Sequence, residues 1–533
     1  MPTITVDGKK VDCREGVPVL RAALEAGMEV PHYCYHPGLS IVASCRLCLM
    51  ELKMPDPRTK ELTWSPRLVP SCQTPVKDGM EVRFRSPGVT ANQKHVMEYY
   101  LLNHPLDCPV CDKAGECYLQ DYTEDFGSGS SRMVEEKHKN PKKDIGDRTL
   151  LYQDRCVLCT RCVRFCSEIA GSGELSVVDR GSRAEIDVFP GVPLENKLQG
   201  NVVDLCPVGA LLDKEFLFKQ RVWMLQPAKS ICAGCSRGCT IDIEQNQNRI
   251  HRVRPRFNEK INEWWICDDG RFGWKHVHDP ARLQQPRQKR GGAWEALRWE
   301  DAPAVLRARF EQAAAPDGGK AVAAMLSPML ACEEAWLLAR FVRSVAPQAT
   351  VVPGFIPTAG QDETFAKGFV VKAEKCPNRR GIERVIAAMG GPTLSFDEFV
   401  AGLAKGAFKA AYISGGYPRA WAPDALSKAA PSCPFLVLHD LLPSALDAAA
   451  AIQLPASTWA EREGSFMNCD GLLQAFDRAV TPLEGVKTEG QFFAELAGEP
   501  GLYRARKIRE KMSAQMAEFA TPFVPREEPA YAH

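Results

Sequence analysis

Seventeen of the 21 cysteines in this 533-residue sequence fall at or before Cys267. Spacing sorts fifteen of them, with one histidine, into four groups of four. Cys34, Cys45, Cys48 and Cys72 follow C-x10-C-x2-C-x23-C. Two ligands on a tight loop, with two more arriving from elsewhere, is how thiolates grip a compact [2Fe–2S] core, here with a longer first gap than plant-type ferredoxins use. Four thiolates equally satisfy tetrahedral zinc, so these four alone leave both metals open. His104, Cys108, Cys111 and Cys117 follow H-x3-C-x2-C-x5-C. They could hold zinc or a [4Fe–4S] core, although a lone histidine near cysteines is commonly a bystander. As a cluster ligand, His104 would remove one negative charge and raise the potential, as histidine does in Rieske centres.

The third group is more specific. Cys156, Cys159, Cys162 and Cys166 reproduce the C-x2-C-x2-C-x3-C start of a bacterial ferredoxin, and Cys206-Pro207 lies downstream. In that fold the last cysteine of each run serves the other cluster. Cys206 therefore completes the site begun by Cys156, Cys159 and Cys162. No second C-x2-C-x2-C precedes Cys206, so Cys166 has nothing to bind. With Ser167 where a ferredoxin has proline, Cys166 reads as a small buried hydrophobe. The fourth group, Cys232, Cys235, Cys239 and Cys267, suits another [4Fe–4S] core. A multi-zinc scaffold would leave so much metal without a task. Four redox centres in one chain would conduct electrons.

Short elements must position these ligands. Ile4 to Val11 alternates around Asp7-Gly8, a hairpin signal, and Val19 to Ala26 reads as a short helix ended near Gly27. Apolar residues at helical spacing between Thr90 and Asn103 put a helix before His104. Polar, charged Gly127 to Asp147 reads as a linker or surface arm. Thr240–Glu244 and Ile250–Val253 alternate like hairpin strands around Asn246 to Asn248.

In order and spacing, the groups resemble the large iron–sulfur subunit of respiratory complex I, the NADH–quinone oxidoreductase subunit of 75 kDa type. The resemblance rests on Pro31-His32-Tyr33-Cys34 with Cys45-Arg46-Leu47-Cys48, on His104 through Cys111, and on Arg155-Cys156 through Phe165. It implies one [2Fe–2S] cluster on Cys34, Cys45, Cys48 and Cys72. It implies three [4Fe–4S] clusters: on His104, Cys108, Cys111 and Cys117; on Cys156, Cys159, Cys162 and Cys206; and, off the main path, on Cys232, Cys235, Cys239 and Cys267. Electrons would pass singly from an NADH- and FMN-binding neighbour subunit towards quinone. No G-x-G-x-x-G follows a strand, so no NADH or quinone site and no catalytic residue is expected on this chain. The implied place is peripheral, on the cytoplasmic side of a bacterial inner membrane, with other peripheral-arm subunits as partners.

The fold class is accordingly multidomain α+β. A β-grasp [2Fe–2S] ferredoxin-like domain covers 1–85, a His/Cys helical segment 86–126, a bacterial-ferredoxin-like domain 127–222 and a small β iron–sulfur domain 223–280. Over 281–533, strands (Ala321–Met325, Ala410–Ser414, Phe435–His439) alternate with helices (Glu333–Val345, Ser444–Ala450), which argues for α/β layers on a parallel sheet. Gly270-Arg271-Phe272-Gly273, Arg282-Leu283, Gly415 to Pro418 and Trp459 to Asn468 resemble molybdopterin oxidoreductases such as formate dehydrogenase. However, Asp269 stands where the active enzymes carry lysine, and the 266 residues after Cys267 are few for a bis-pterin cofactor. This half is expected to be degenerate and structural, without molybdopterin. Cys332, Cys376, Cys433 and Cys469 read as packing residues, and Pro522 to His533 as an extended or disordered tail.

Composition sets the limits. Lys+Arg exceed Asp+Glu by one, 67 against 66, so no net field favours nucleic acid. No apolar run approaches about 18 residues, and the start lacks a signal-peptide layout; a soluble, intracellular chain is expected. The alternatives are the catalytic subunit of an NAD-linked formate dehydrogenase and the diaphorase arm of a hydrogenase.

Overall fold

The computed structural model describes residues 1–56 and 58–528. At the start, Thr3–Val6 and Lys9–Asp12 pair antiparallel with Val6 opposite Lys9, leaving Asp7 and Gly8 as the turn. Both have positive φ, +46° and +81°, as the primed turn of a two-residue hairpin requires. Thr3–Val6 runs parallel to Glu81–Arg83, which lies antiparallel to Leu49–Pro55. Across this mixed sheet the helix Val19–Glu25 buries Val19, Leu20, Ala22 and Ala23 against Ile4, Val6 and Val82. This is the β-grasp arrangement expected.

The next helix spans Pro87–Leu101, starting three residues before the expected Thr90. Its start is set by Ser86, whose hydroxyl accepts from Val89 N–H at 3.3 Å, and by Pro87 at the first helical position. Val89, Gln93 and Met97 form its buried face. The Tyr33 hydroxyl donates to Met97 Sδ at 3.4 Å, and the Tyr100 hydroxyl donates to the Cys45 carbonyl at 3.4 Å. The helix therefore carries the chain from the first cysteine group to the second.

The segment expected as a linker or surface arm is not irregular throughout. Its end, Lys142–Asp144, forms an edge strand on Thr149–Tyr152, whose other side pairs with Leu211–Asp213. Lys142-Lys143-Asp144 has no apolar alternation, so backbone pairing alone defines this strand. Thr240–Asn246 and Arg249–Pro255 form the expected hairpin around Gln247 and Asn248, both with positive φ. A third strand, Gln226–Ile231, joins them.

In the C-terminal half, Ile452–Pro455, Phe435–Asp440, Ala410–Ser414, Val322–Leu326 and Thr350–Pro353 lie side by side, all parallel. The hairpin Arg287–Arg290 and Ala293–Ala296 closes one edge antiparallel. Val322–Leu326 and Ala410–Ser414 are buried at every residue, as strands covered on both faces must be. Ala302–Ala314, Cys332–Val345 and Glu489–Leu496 cover one face, Phe396–Ala404 and Asp424–Ala429 the other. The expected helix Ser444–Ala450 is only a single 3-10 turn, Ala445–Ala448, capped by the Ser444 hydroxyl. Too little chain lies between Asp440 and Ile452 for a full crossover helix. Cys332, Cys376 and Cys433 are buried and Cys469 is half-buried, in keeping with packing roles.

The tail over 522–528 forms neither helix nor strand and is held at both ends: Phe523 N–H donates to the Leu473 carbonyl at 2.8 Å, and Arg21 reaches Glu528 at 2.9 Å. The rest of the expected tail lies outside the described residues. Among the described residues no helix is long and apolar enough to cross a membrane.

Candidate metal centres

Each of the four sequence quartets is brought together. Cys34, Cys45, Cys48 and Cys72 are all buried, with Cys34 Sγ 3.5 Å from Cys45 Sγ. Cys48 is hydrogen-bonded to Cys72, and all four act on one another electrostatically. Hydrogen bonding within each pair lowers the pKa of Cys34 and Cys48 and raises that of Cys45 and Cys72. The loop bends through Ala43 and Arg46, both at positive φ, and Tyr33 N–H points at Cys45 Sγ at 3.4 Å.

His104, Cys108, Cys111 and Cys117 line one cavity with Asp107, Arg155 and Gly209. Burial, followed by the Arg155 charge, pushes the His104 imidazole down to about 4. It is therefore neutral at pH 7, the form in which histidine binds metal. Gly209 is required here: a Cβ at this position would lie 2.2 Å from Cys111 Sγ. Cys108 is exposed, so this centre reaches the surface.

Cys156, Cys159, Cys162 and Cys206 line a second cavity, closed by Leu151, Ile186, Val208 and Leu211. Leu158 and Thr160 adopt positive φ between the ligands. Left-handed backbone at two such residues is strain kept at a functional loop; it turns the three sulfurs inward. Cys166 does not line this cavity. It is fully buried in the π turn Cys166–Ala170, and burial pushes its thiol up to about 12, as the inert reading of Cys166 requires.

Cys232, Cys235, Cys239 and Cys267 line a third cavity. The Gly234 N–H donates to Cys232 Sγ at 3.4 Å. Sequence reasoning missed the cover of this site: Phe369, Val370, Val371 and Lys375 arrive from the cysteine-poor half. Lys375 Nζ lies 3.7 Å from Asp269, so a lysine does stand beside this cluster site, supplied from a remote segment. No local pattern marks it.

The donor chemistry fits iron–sulfur cores. Among the described residues no group of three or more such donors is drawn together as a single-ion site; three of the quartets instead surround space. One continuous apolar core runs through Cys34, Cys117, Cys159, Cys206 and Cys267. Within it, the third quartet contacts both the first and the second. Arg164 donates to the Cys34 and Cys159 carbonyls at 2.6 and 3.1 Å, while Gly209, three residues past Cys206, abuts Cys111.

Comparison with known proteins follows the same order. A 2Fe-2S iron-sulfur cluster binding domain model matches residues 1–87, and an NADH-ubiquinone oxidoreductase-G iron-sulfur binding region matches 93–132. The ferredoxin-like domain of NADH-quinone oxidoreductase subunit 3 matches 146–212, the molybdopterin oxidoreductase Fe4S4 domain 225–279, and the molybdopterin oxidoreductase model 383–499. The NADH-ubiquinone oxidoreductase 75 kDa subunit of Reclinomonas americana is 40% identical over 302 residues, 57% of this chain and 42% of that protein. An NADH-quinone oxidoreductase subunit from Rickettsia bellii is 38% identical over 302 residues, 57% of this chain and 43% of its own. These matches span less than half the length of either relative. An NAD+-reducing [NiFe]-hydrogenase structure in the H2-reduced state covers 42% of this chain and 91% of its own at 27% identity, with a TM-score of 0.36. Over the 302 matched residues, the chain is similar to the large iron–sulfur subunits, 75 kDa type, of NADH–quinone oxidoreductases.

Proposed function

We propose that this chain relays single electrons within an NADH–quinone oxidoreductase, from an FMN- and NADH-binding neighbour subunit towards quinone. Cys34, Cys45, Cys48 and Cys72 would hold one [2Fe–2S] cluster. His104 with Cys108, Cys111 and Cys117, Cys156 with Cys159, Cys162 and Cys206, and Cys232 with Cys235, Cys239 and Cys267 would hold one [4Fe–4S] cluster each. Such clusters supply one-electron chemistry when bound. The chain's own residues fix their places, exclude water and set the surrounding charge.

The observation that carries this reading is the third quartet's contact with both of its neighbours. Arg164 joins it to Cys34, and Gly209 joins it to Cys111. These contacts support a spatial order of first, third, second, which differs from chain order. The fourth quartet, covered by the C-terminal half, is read as lying off this path. The chain would bind neither NADH nor quinone, and would sit peripherally on the cytoplasmic face of the inner membrane among the other peripheral-arm subunits.

Iron, sulfide and molybdenum analysis of the purified chain tests the reading. The expectation is about fourteen iron atoms with matching sulfide and no molybdenum, from one two-iron and three four-iron cores. Zinc, or colourless protein silent in paramagnetic resonance, would overturn it. Molybdenum would favour the formate dehydrogenase alternative, which the molybdopterin oxidoreductase match over 383–499 keeps in view. For the unusual ligand, His104→Cys should retain a cluster and lower one potential, because a thiolate adds negative charge. No change at any cluster would remove His104 as a ligand.

A further inference from the structure

Eight arginines are buried among the described residues. Six of them meet a carboxylate: Arg21 with Glu25 and Glu528, Arg155 with Asp107, Arg271 with Asp204, Arg282 with Glu461, Arg462 with Glu334, and Arg509 with Glu333. Arg161 and Arg164 form no ion pair among the described residues, and these two lie between the first and third quartets. A buried cation is expensive unless an anion faces it.

Their contacts show which anions could do so. Arg161 is fully buried and lines the cavity of the third quartet. It donates to the carbonyls of Tyr35 and Leu205, the neighbours of Cys34 and Cys206, while its Nε has no hydrogen-bond partner. Arg164 donates to the carbonyls of Cys34, Cys159 and Ser40 and to the Thr160 hydroxyl. Carbonyl dipoles satisfy the N–H groups without neutralising the charge. The nearby Glu168 carboxylate is committed to Ser40 and Lys367. Beyond these groups, Arg161 lies 6.0 Å from the Tyr118 ring and faces the cavity of the third quartet, and Arg164 acts electrostatically on Cys159 and Cys34.

Resting on the cluster assignment above, we infer that Arg161 and Arg164 are the shared counter-charge of the first and third cluster sites, and hold both reduction potentials up while tying the two ligand loops together. A four-thiolate cluster is a net anion when oxidised and gains a further negative charge with each electron accepted. A fixed cation beside it therefore stabilises the reduced state more. Because one pair of guanidinium groups touches both loops, changing it should move both potentials in the same direction.

The test is Arg164→Gln in the full chain, assembled with its partner subunits, with potentials read by paramagnetic resonance during a redox titration. At a fixed poise, the reduced-to-oxidised ratio of the first and third clusters should fall together by at least about tenfold, or about 59 mV for a one-electron couple. The His104 and Cys232 centres should move much less. Arg164→Lys, which keeps the charge but loses the fork, should stay close to the parent in both potentials. Loaded clusters with unmoved potentials in Arg164→Gln would overturn the inference. If that variant fails to load, Glu168→Gln decides the matter: removing this nearby negative charge should raise both potentials together, and a shift in neither or only one would refute a shared field. Absence of iron and sulfide from the parent protein would instead refute the underlying cluster assignment.

Discussion

The two halves of the molecule differ in how completely they pair buried charge. In the C-terminal half every buried arginine among the described residues faces carboxylate: Arg282 lies 2.7 Å from Glu461, Arg462 3.0 Å from Glu334 and 3.2 Å from Glu489, and Arg509 2.6 Å from Glu333. In the cysteine-dense half Arg21, Arg155 and Arg271 do so too, but Arg161 and Arg164 face carbonyls instead. One half closes its electrostatics with protein alone. The other leaves two buried cations without a protein anion, beside thiols that lose their protons when a metal binds. The C-terminal half should therefore be complete as an apoprotein and the front half should not.

Iron removal is the largest expected break in that symmetry. After chelation, amide exchange across the ligand loops 34–48, 104–117, 156–162 and 232–239 should lose protection, while Val322–Leu326 and Ala410–Ser414 keep theirs. Exchange followed by mass spectrometry reads both halves at once, and uniform loss across the chain would end the contrast.

Next in size is the paired half's own dependence on its partners. Glu461→Gln leaves the Arg282 guanidinium, with a fully buried side chain, facing a neutral amide. Breaking a buried pair typically costs about 3–5 kcal/mol. Denaturant unfolding should place the loss in the C-terminal half, with cluster spectra unchanged. A loss below about 1 kcal/mol would mean that this pair is not the balance it resembles.

A smaller, pH-dependent effect belongs to Asp440. Burial raises its carboxyl to about 6, opposed by hydrogen bonds from Trp421 Nε1–H at 2.8 Å and the N–H groups of Gly416 and Leu441 at 2.9 and 2.8 Å. The folded state thus holds this proton more tightly than the unfolded chain. Its contribution to stability is present below the ordinary aspartate range and is lost as pH rises from about 4 to about 6. Relative to Asp440→Asn, the parent should lose up to about 3 kcal/mol across that window. Parallel pH–stability curves for the two proteins would contradict the assignment.

How much of this is legible in the chain depends on distance along it. Ligands such as Cys45 with Cys48, or Cys156 with Cys159 and Cys162, declare themselves within a few residues, and Asp7-Gly8 marks its own hairpin. The parallel sheet shows in unbroken apolar runs such as Val322–Leu326. Features defined by remote partners are invisible. Arg161 and Arg164 are ordinary residues in a ferredoxin-like motif until Tyr35 and Cys34, more than a hundred positions away, are brought to them. The edge strand Lys142–Asp144 exists only because Thr149–Tyr152 pairs with it. Alanine-rich Ser444 to Ala450 misleads because propensity ignores how soon the next strand must begin.

The smallest effect is the most discriminating, because it lies where the halves meet. Lys375 belongs to the C-terminal half but lines the fourth quartet's cavity, 3.7 Å from Asp269. Asp269 is 71% exposed at its side chain and Lys375 25%, so water screens the pair and Lys375→Ala should change stability by less than about 1 kcal/mol. Its charge still faces the cavity from close by, so the fourth cluster's potential should fall in the variant while the first, second and third stay in place. A redox titration resolving all four signals reads this directly. If all four moved together, the field would be a property of the whole molecule and the division between the halves would fail. If only the fourth moved, the C-terminal half would be tuning a single centre through a lysine brought in from a distant part of the chain.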